Sequence, residues 1–329
     1  MSREETTPGD IYQFNPNQES HGIGVSEILN FPSAGLSLLR CTHDYRSRLL
    51  EQPHSIGHKM VRRGPAFFVS LWAYSEISGR SVDRISDEGV LAPASILYRQ
   101  VISQDDNLDC LRKTKPTSAK RAFWYENGMF SASKLRRSFR TAIRLIDSNQ
   151  ILDPEVRTHM KINIANAYRS YTTSEDELFK LRNSPHPCLA EIIDLRTRSY
   201  GVMARALCAI LNGSICMTPH GIELENAMEL FELAAGIVDS ELDREEDKGR
   251  IMTPVLAGDI QDLTLGQREG TTSQRLFEGI TTQIPSRRVR SVLFMSRFLY
   301  PKIESILTRL GQYYPSIGKN LTVQRDIPV

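Results

Sequence analysis

The sequence has little of what usually announces a function. Its five cysteines (Cys41, Cys110, Cys188, Cys208 and Cys216) are scattered and odd in number. No pair has zinc spacing, and no disulfide framework is suggested, so a reducing compartment is expected. A charge excess is also lacking: 41 Lys plus Arg stand against 39 Asp plus Glu, leaving a net charge of +2. That gives no basic footprint for a nucleic-acid partner. No apolar run approaches the ~18 residues of a membrane span. The opening MSREETTPGD has no apolar core of a secretory signal, and the expectation is a cytoplasmic protein. The seven histidines form no HExxH or other ligand pattern, and neither a Gly-rich phosphate loop nor a GxSxG elbow is present. Period-two alternation, hairpin pairs and fixed-period repeats are missing too, which excludes most β architectures and solenoids.

What remains is an ordinary globular mix in 329 residues, 40% hydrophobic and 24% charged, long enough to bury a sizeable core. Residues 1–33 are mostly polar, with turn chemistry at Pro8–Gly9 and a breaker at Pro16. They read as a loosely ordered arm. Residues 34–329 read as one all-α domain of roughly eight to ten helices. Leu38, Cys41, Tyr45 and Leu49 fit one helical face, as do Phe67, Leu71 and Tyr74 with Phe68 and Trp72 beside them. Pro93 opens a helix carrying Ile96, Leu97, Val101 and Ile102, and another starts at Ser131. Asp153–Pro154 has the form of an N-cap with proline at the first helical position, for a helix to about Tyr171. Ser174 and Glu177 have capping-box spacing. Further helices begin at Pro187, stopping near Gly213, and at Pro219, while Pro285 opens a basic segment, RRVRSVLF. The last helix runs past Ile303 and Leu307.

Two acidic constellations stand out. The first, QDDNLD, contains a DDxxD of Asp105, Asp106 and Asp109 at the end of the apolar run PASILYRQVIS. On a helix Asp105 and Asp109 share a face and repel, by a few tenths of a kcal/mol even at a surface. A hard divalent cation bound through carboxylate oxygens would compensate. The second is Asp239, Asp243 and Asp247, at i, i+4 and i+8 after the apolar stretch LFELAAGIV. Each step drifts by about 40°, so the three line one helical stripe. Residues 239–248 also read as a general charge run on a solvated face, with Glu241, Glu245 and Glu246 on other sides.

Together these motifs resemble those of class I terpene synthases and the wider all-α isoprenoid synthase superfamily. In that superfamily a DDxxD faces a second metal motif of Asn or Asp, Ser or Thr, and Glu at i, i+4 and i+8. Asp239 fits its first position; Asp243 and Asp247 occupy the others with a changed residue type. A third match is IDLRTRSYG, residues 193–201, which has the outline of the family's YLxLRRxTxG upstream of the second motif. The resemblance spans roughly residues 60–315. It implies a single-domain helical bundle around a central cavity, with three magnesium ions bridging Asp105, Asp109, Asp239, Asp243 and Asp247 to a substrate diphosphate. Arg196 or Arg198 would sense that diphosphate, although the usual sensor position holds Thr197. Lys248 stands just after the last ligand, where the family has a lysine just before it. The adjacent Arg-Tyr pair of the family is missing near the C-terminus, and Arg309 and Tyr313, one turn apart, are the substitutes. A homodimer is compatible with the resemblance. Asp239 and Asp243 followed by Gly249–Arg250 are also similar to the second motif of squalene and phytoene synthases.

The implied activity is a terpene cyclase acting on a linear prenyl diphosphate. Basic donors would hold the diphosphate, and a dry cavity would protect the allylic cation left by its departure. Aromatic faces stabilise such a cation by about 0.5–2 kcal/mol each. Phe67, Phe68, Trp72 and Tyr74 are the cavity-lining candidates, with ordinary core packing as the alternative. Arg287, Arg288 and Arg290 read as diphosphate contacts or as a solvated helix start. Two other functions fit the same residues: condensation of two prenyl diphosphates, and a helical scaffold without turnover.

Overall fold

The computed structural model describes residues 25–51, 65–98, 129–249 and 251–297. Among them the chain is mostly helical and forms no strand, an all-α fold. The N-terminal half of the described chain comprises α1 (Val25–Glu51), α2 (Pro65–Ser78), α3 (Val82–Asp87), α4 (91–98), α5 (Met129–Ser148) and α6 (Pro154–Lys180). Then come α7 (Leu189–Arg196), a π-helical turn at Thr197–Gly201, α8 (Val202–Asn212) and α9 (Pro219–Leu242). The short α10 (Arg244–Asp247), α11 (Pro254–Thr264), α12 (Thr271–Thr282) and α13 (287–297) complete it.

Helix α9 is the axis of the packing. It touches α2, α8, the π-turn, α11 and α12, and its sequence shows why. Leu224, Ala227, Met228, Phe231, Leu233, Ala234, Ile237 and Val238 are all buried, so the helix is apolar over most of its circumference. Its start is well specified. Pro219 occupies the first turn, and the Thr218 hydroxyl accepts the Gly221 N–H at 3.1 Å. Gly221 has no alternative, because a Cβ there would come within 2.2 Å of the Ile215 carbonyl oxygen.

The end of α8 is pinned by a buried polar network. Gly213 leaves the helix at φ 55°, and Arg80 donates to the Leu211 and Asn212 carbonyls. These are the orphan acceptors of a helix C-terminus, where positive charge is favoured. Glu88 balances Arg80, and the Tyr74 hydroxyl donates to Asn212 Oδ1 at 2.9 Å.

Several local expectations change. Helix α1 begins at Val25, inside the segment expected to be a loose arm, with Pro32 in its interior. That proline removes one helical hydrogen bond, which the buried face of Ala34, Cys41, Tyr45 and Leu49 offsets. Helix α6 runs on to Lys180, so Ser174 and Glu177 open no new helix. Ser174 and Glu175 are buried in mid-helix, and tertiary packing carries α6 past the capping signal. Asp153 has N-cap backbone geometry before Pro154, without a side-chain cap bond. Val101, Ile102, Ile303 and Leu307 lie outside the described residues.

Candidate active site

One cavity of about 420 Å³ lies against α9, within the usual range for small-molecule sites. Among the described residues, helices α2, α4, α7, α10, α11 and α12, the π-turn and Ile251 also border it. Much of the lining is apolar: Ile193, Phe231, Leu233, Ile237, Leu276 and Ile280 all border it. Charge enters at the C-terminal end of α9. Asp239, Asp243 and Asp247 all line the cavity, Asp239 and Asp243 being exposed.

The backbone explains how three aspartates reach one wall although α9 ends at Leu242. Asp243 sits at a bend, φ −94° and ψ 12°. The helical hydrogen bonds continue across it, Asp243 N–H to Asp239 O at 2.9 Å and Asp247 N–H to Asp243 O at 2.8 Å. The stripe read from the spacing therefore survives the break. The other face of the same segment holds the fold together. Glu241 takes two hydrogen bonds from Arg297, at 2.6 and 2.7 Å, and one from Ser273. Arg244 pairs with Asp259 and Glu269, both at 3.4 Å. Lys248 is exposed, pairs with Glu245 at 2.7 Å and is not among the cavity residues.

Arg196 and Arg198 part company at the π-turn. Arg196 lines the cavity and is buried, with Nη1 donating to Glu175 Oε1 at 3.0 Å and the guanidinium 5.2 Å from the Tyr200 ring centre. Arg198 is half exposed, bonds Asp194 one turn back at 2.6 Å and does not line the cavity. Thr197 is buried and donates to the Ile193 carbonyl. A π-turn widens the helix by one residue and is frequent at functional sites. Its last residue must be small, because a Cβ on Gly201 would come within 2.8 Å of the Glu229 side chain. Glu229 is itself fixed by Arg205.

Of the two readings given to the aromatics of α2, these residues show core packing. Phe67, Phe68, Trp72 and Tyr74 are buried core residues and are not among those lining the cavity. Trp72 donates to Ser37 and Tyr74 to Asn212, on other sides of α2. Phe67 stands behind the lining, its ring centre 5.1 Å from that of Tyr98. Among the described residues, the aromatic side chains at the cavity are Tyr98, Tyr200 and Phe231. Arg287 and Arg288 are exposed and Arg290 donates to the Ile284 carbonyl; none of the three lines the cavity.

One lining residue went unread in the sequence. Glu232 stands inside the apolar stretch LFELAAGIV, seven residues before Asp239 and so on nearly the same stripe. That coincidence of face was a visible signal. Its carboxylate accepts a 2.8 Å hydrogen bond from Ser70, which also meets the Tyr98 hydroxyl at 3.1 Å. Burial pushes the Glu232 pKa up to about 7, with the Ser70 bond opposing the shift. Elsewhere Glu225, away from the cavity, is likewise raised to about 7 by burial despite nearby Arg205.

Asp105, Asp106, Asp109, Arg309 and Tyr313 lie outside the described residues. Among the described residues, no three His, Cys, Asp or Glu side chains come together closely enough to hold a metal ion. Asp239, Asp243 and Asp247 are hard oxygen donors of the kind magnesium takes. A metal on this wall therefore needs further oxygens, from a bound anion or from another part of the chain. Compared with known protein families, with curated proteins and with solved structures, the chain matches none.

Proposed function

We propose that the protein is a class I terpene cyclase with an isoprenoid-synthase-like helical fold, acting on a linear prenyl diphosphate. The observation that carries this reading is a single cavity bordered by Asp239, Asp243, Asp247 and Arg196 together. Such a site suits a ligand that is anionic at one end and greasy at the other. The carboxylates suit an anion only if cations lie between. Asp239, Asp243 and Asp247, with Asp105 and Asp109 of the DDxxD, would hold magnesium ions, three in the family resembled. Bound magnesium would neutralise the charge that builds on the departing diphosphate.

The chain's own residues do the rest. Arg196 donates to diphosphate oxygens, a charge-assisted contact that strengthens as the leaving group takes up charge. Glu175 and the Tyr200 face hold its guanidinium at the cavity wall, as positioning residues. Ile193, Phe231, Leu233, Leu276 and Ile280 exclude water from the chain after ionisation. A cavity of about 420 Å³ is the size of a single small-molecule site, which favours one prenyl chain over the joining of two. Arg198 and Lys248, engaged with Asp194 and Glu245, have no part in this reading.

Incubation of the purified chain with geranyl, farnesyl and geranylgeranyl diphosphates and magnesium tests it. A cyclic hydrocarbon or alcohol from one of them is the expected product. A doubled chain would replace the cyclase by a condensing enzyme. No diphosphate release with any chain length would leave a scaffold.

A further inference from the structure

The inner part of the cavity carries a carboxylate that the diphosphate reading does not use. Glu232 lies seven residues before Asp239, two helical turns less 20°, and so about 10 Å further along α9 on the same face. Its neighbours in sequence, Phe231 and Leu233, are buried. Ser70 is its hydrogen-bond partner, and among the described residues it makes no ion pair. A lone acid facing an apolar cavity is costly unless something at that place uses it. Two aromatic hydroxyl-bearing rings, Tyr98 and Tyr200, border the same space, and aromatic faces attract cations as carboxylates do.

We propose that Glu232, oriented by Ser70 and Tyr98, is an anionic subsite that takes a positively charged carbon or nitrogen centre on an otherwise apolar ligand. The subsite stands apart from the mouth, where Asp239, Asp243 and Asp247 meet anionic groups through cations. It deepens the prenyl diphosphate reading and in that part rests on it: positive charge that has migrated along the chain, away from the diphosphate, is held by Glu232. As a binding site it needs no turnover.

The test uses the full chain and two probes of one length, decyltrimethylammonium and decanol, with binding followed by calorimetry at pH 8. The native protein is expected to prefer the ammonium by at least about tenfold, the equivalent of 1.4 kcal/mol. Glu232→Gln should abolish that preference while leaving decanol binding unchanged, and Asp239→Asn should leave the preference in place. A preference that survives Glu232→Gln but falls in Asp239→Asn overturns the subsite in favour of the mouth. Salt supplies a criterion that needs no variant. Exposed carboxylates are screened within roughly 10 Å at 0.1 M, so a preference that vanishes in high salt also overturns the proposal. Turnover of prenyl diphosphates without any ammonium preference removes the subsite and keeps the cyclase. An ammonium preference tied to Glu232 without turnover supports the subsite and removes the cyclase.

Discussion

Glu241 and Asp243 are two residues apart in one charged stretch, yet they face different things. Glu241 is gripped by Arg297 and Ser273, with both partners of the ion pair about 15% exposed. Asp243, with Asp239 and Asp247, borders the cavity. One face ties α9 to α12 and α13, and the other borders the cavity. The sequence stretch is the same charge run throughout. Helical phase decides which carboxylate meets Arg297 and which borders the cavity.

Substitutions separate the two faces. The largest effect expected is on turnover: Asp239→Asn should lower prenyl diphosphate conversion by about a hundredfold to a thousandfold. Its unfolding free energy should fall by less than that of Glu241→Ala, as urea titration would read. Glu241→Ala should do the reverse. It strands Arg297 in a mostly buried place, a loss of about 2–3 kcal/mol in the same titration once partial exposure discounts the buried-pair range. Its folded fraction should keep the native affinity for magnesium with pyrophosphate. Equal loss of stability in both variants would erase the distinction between the two faces.

Glu232→Gln sharpens the account further in, through pH. An acid raised from 4.5 to about 7 by burial binds its proton more tightly folded than unfolded. Below about pH 4.5 both states are protonated and nothing is lost. Between 4.5 and 7 the unfolded state ionises first, and stability falls as pH rises. The glutamine variant escapes this, so it should be more stable than the native chain at pH 8 by on the order of 1–2 kcal/mol, allowing for the open cavity beside the group. The gain should shrink towards zero at pH 4.5, measured by denaturant titration at both pH values. The smallest effect belongs to Arg198→Ala. Its half-exposed pair with Asp194 is worth no more than about 0.5 kcal/mol, and turnover should be unchanged, whereas Arg196→Ala should lose most of it.

Helices were easy to read where a proline start and an apolar face agreed. Pro219 before a run of buried residues is the clearest case. Ser174 and Glu177 misled because a capping pattern also fits the middle of a helix whose neighbours keep it going. The aromatics of α2 left two readings open for a different reason. Periodicity marks Phe67, Trp72 and Tyr74 as buried but cannot say whether a buried face meets another helix or a cavity. Val69 and Ser70, between them, are the residues that meet it. At the site, the i, i+4, i+8 spacing of the aspartates was enough to place them on one wall, because helical phase is local. Arg196 and Arg198 fall about 200° apart on any helix, and which of the two meets the cavity depends on how α7 packs, which no propensity announces. Glu232 was hidden by its setting, a single acid counted as part of an apolar stretch.

A mouth that binds cations and diphosphate jointly would show itself in thermal unfolding. The native chain should melt higher with magnesium and pyrophosphate together than with either alone, because a ligand set that binds only the folded state stabilises it by mass action. Asp239→Ala should fold but lose the joint shift, and EDTA should abolish it in the native chain. A joint shift of the same size in Asp239→Ala, or none in the native chain, would contradict the account.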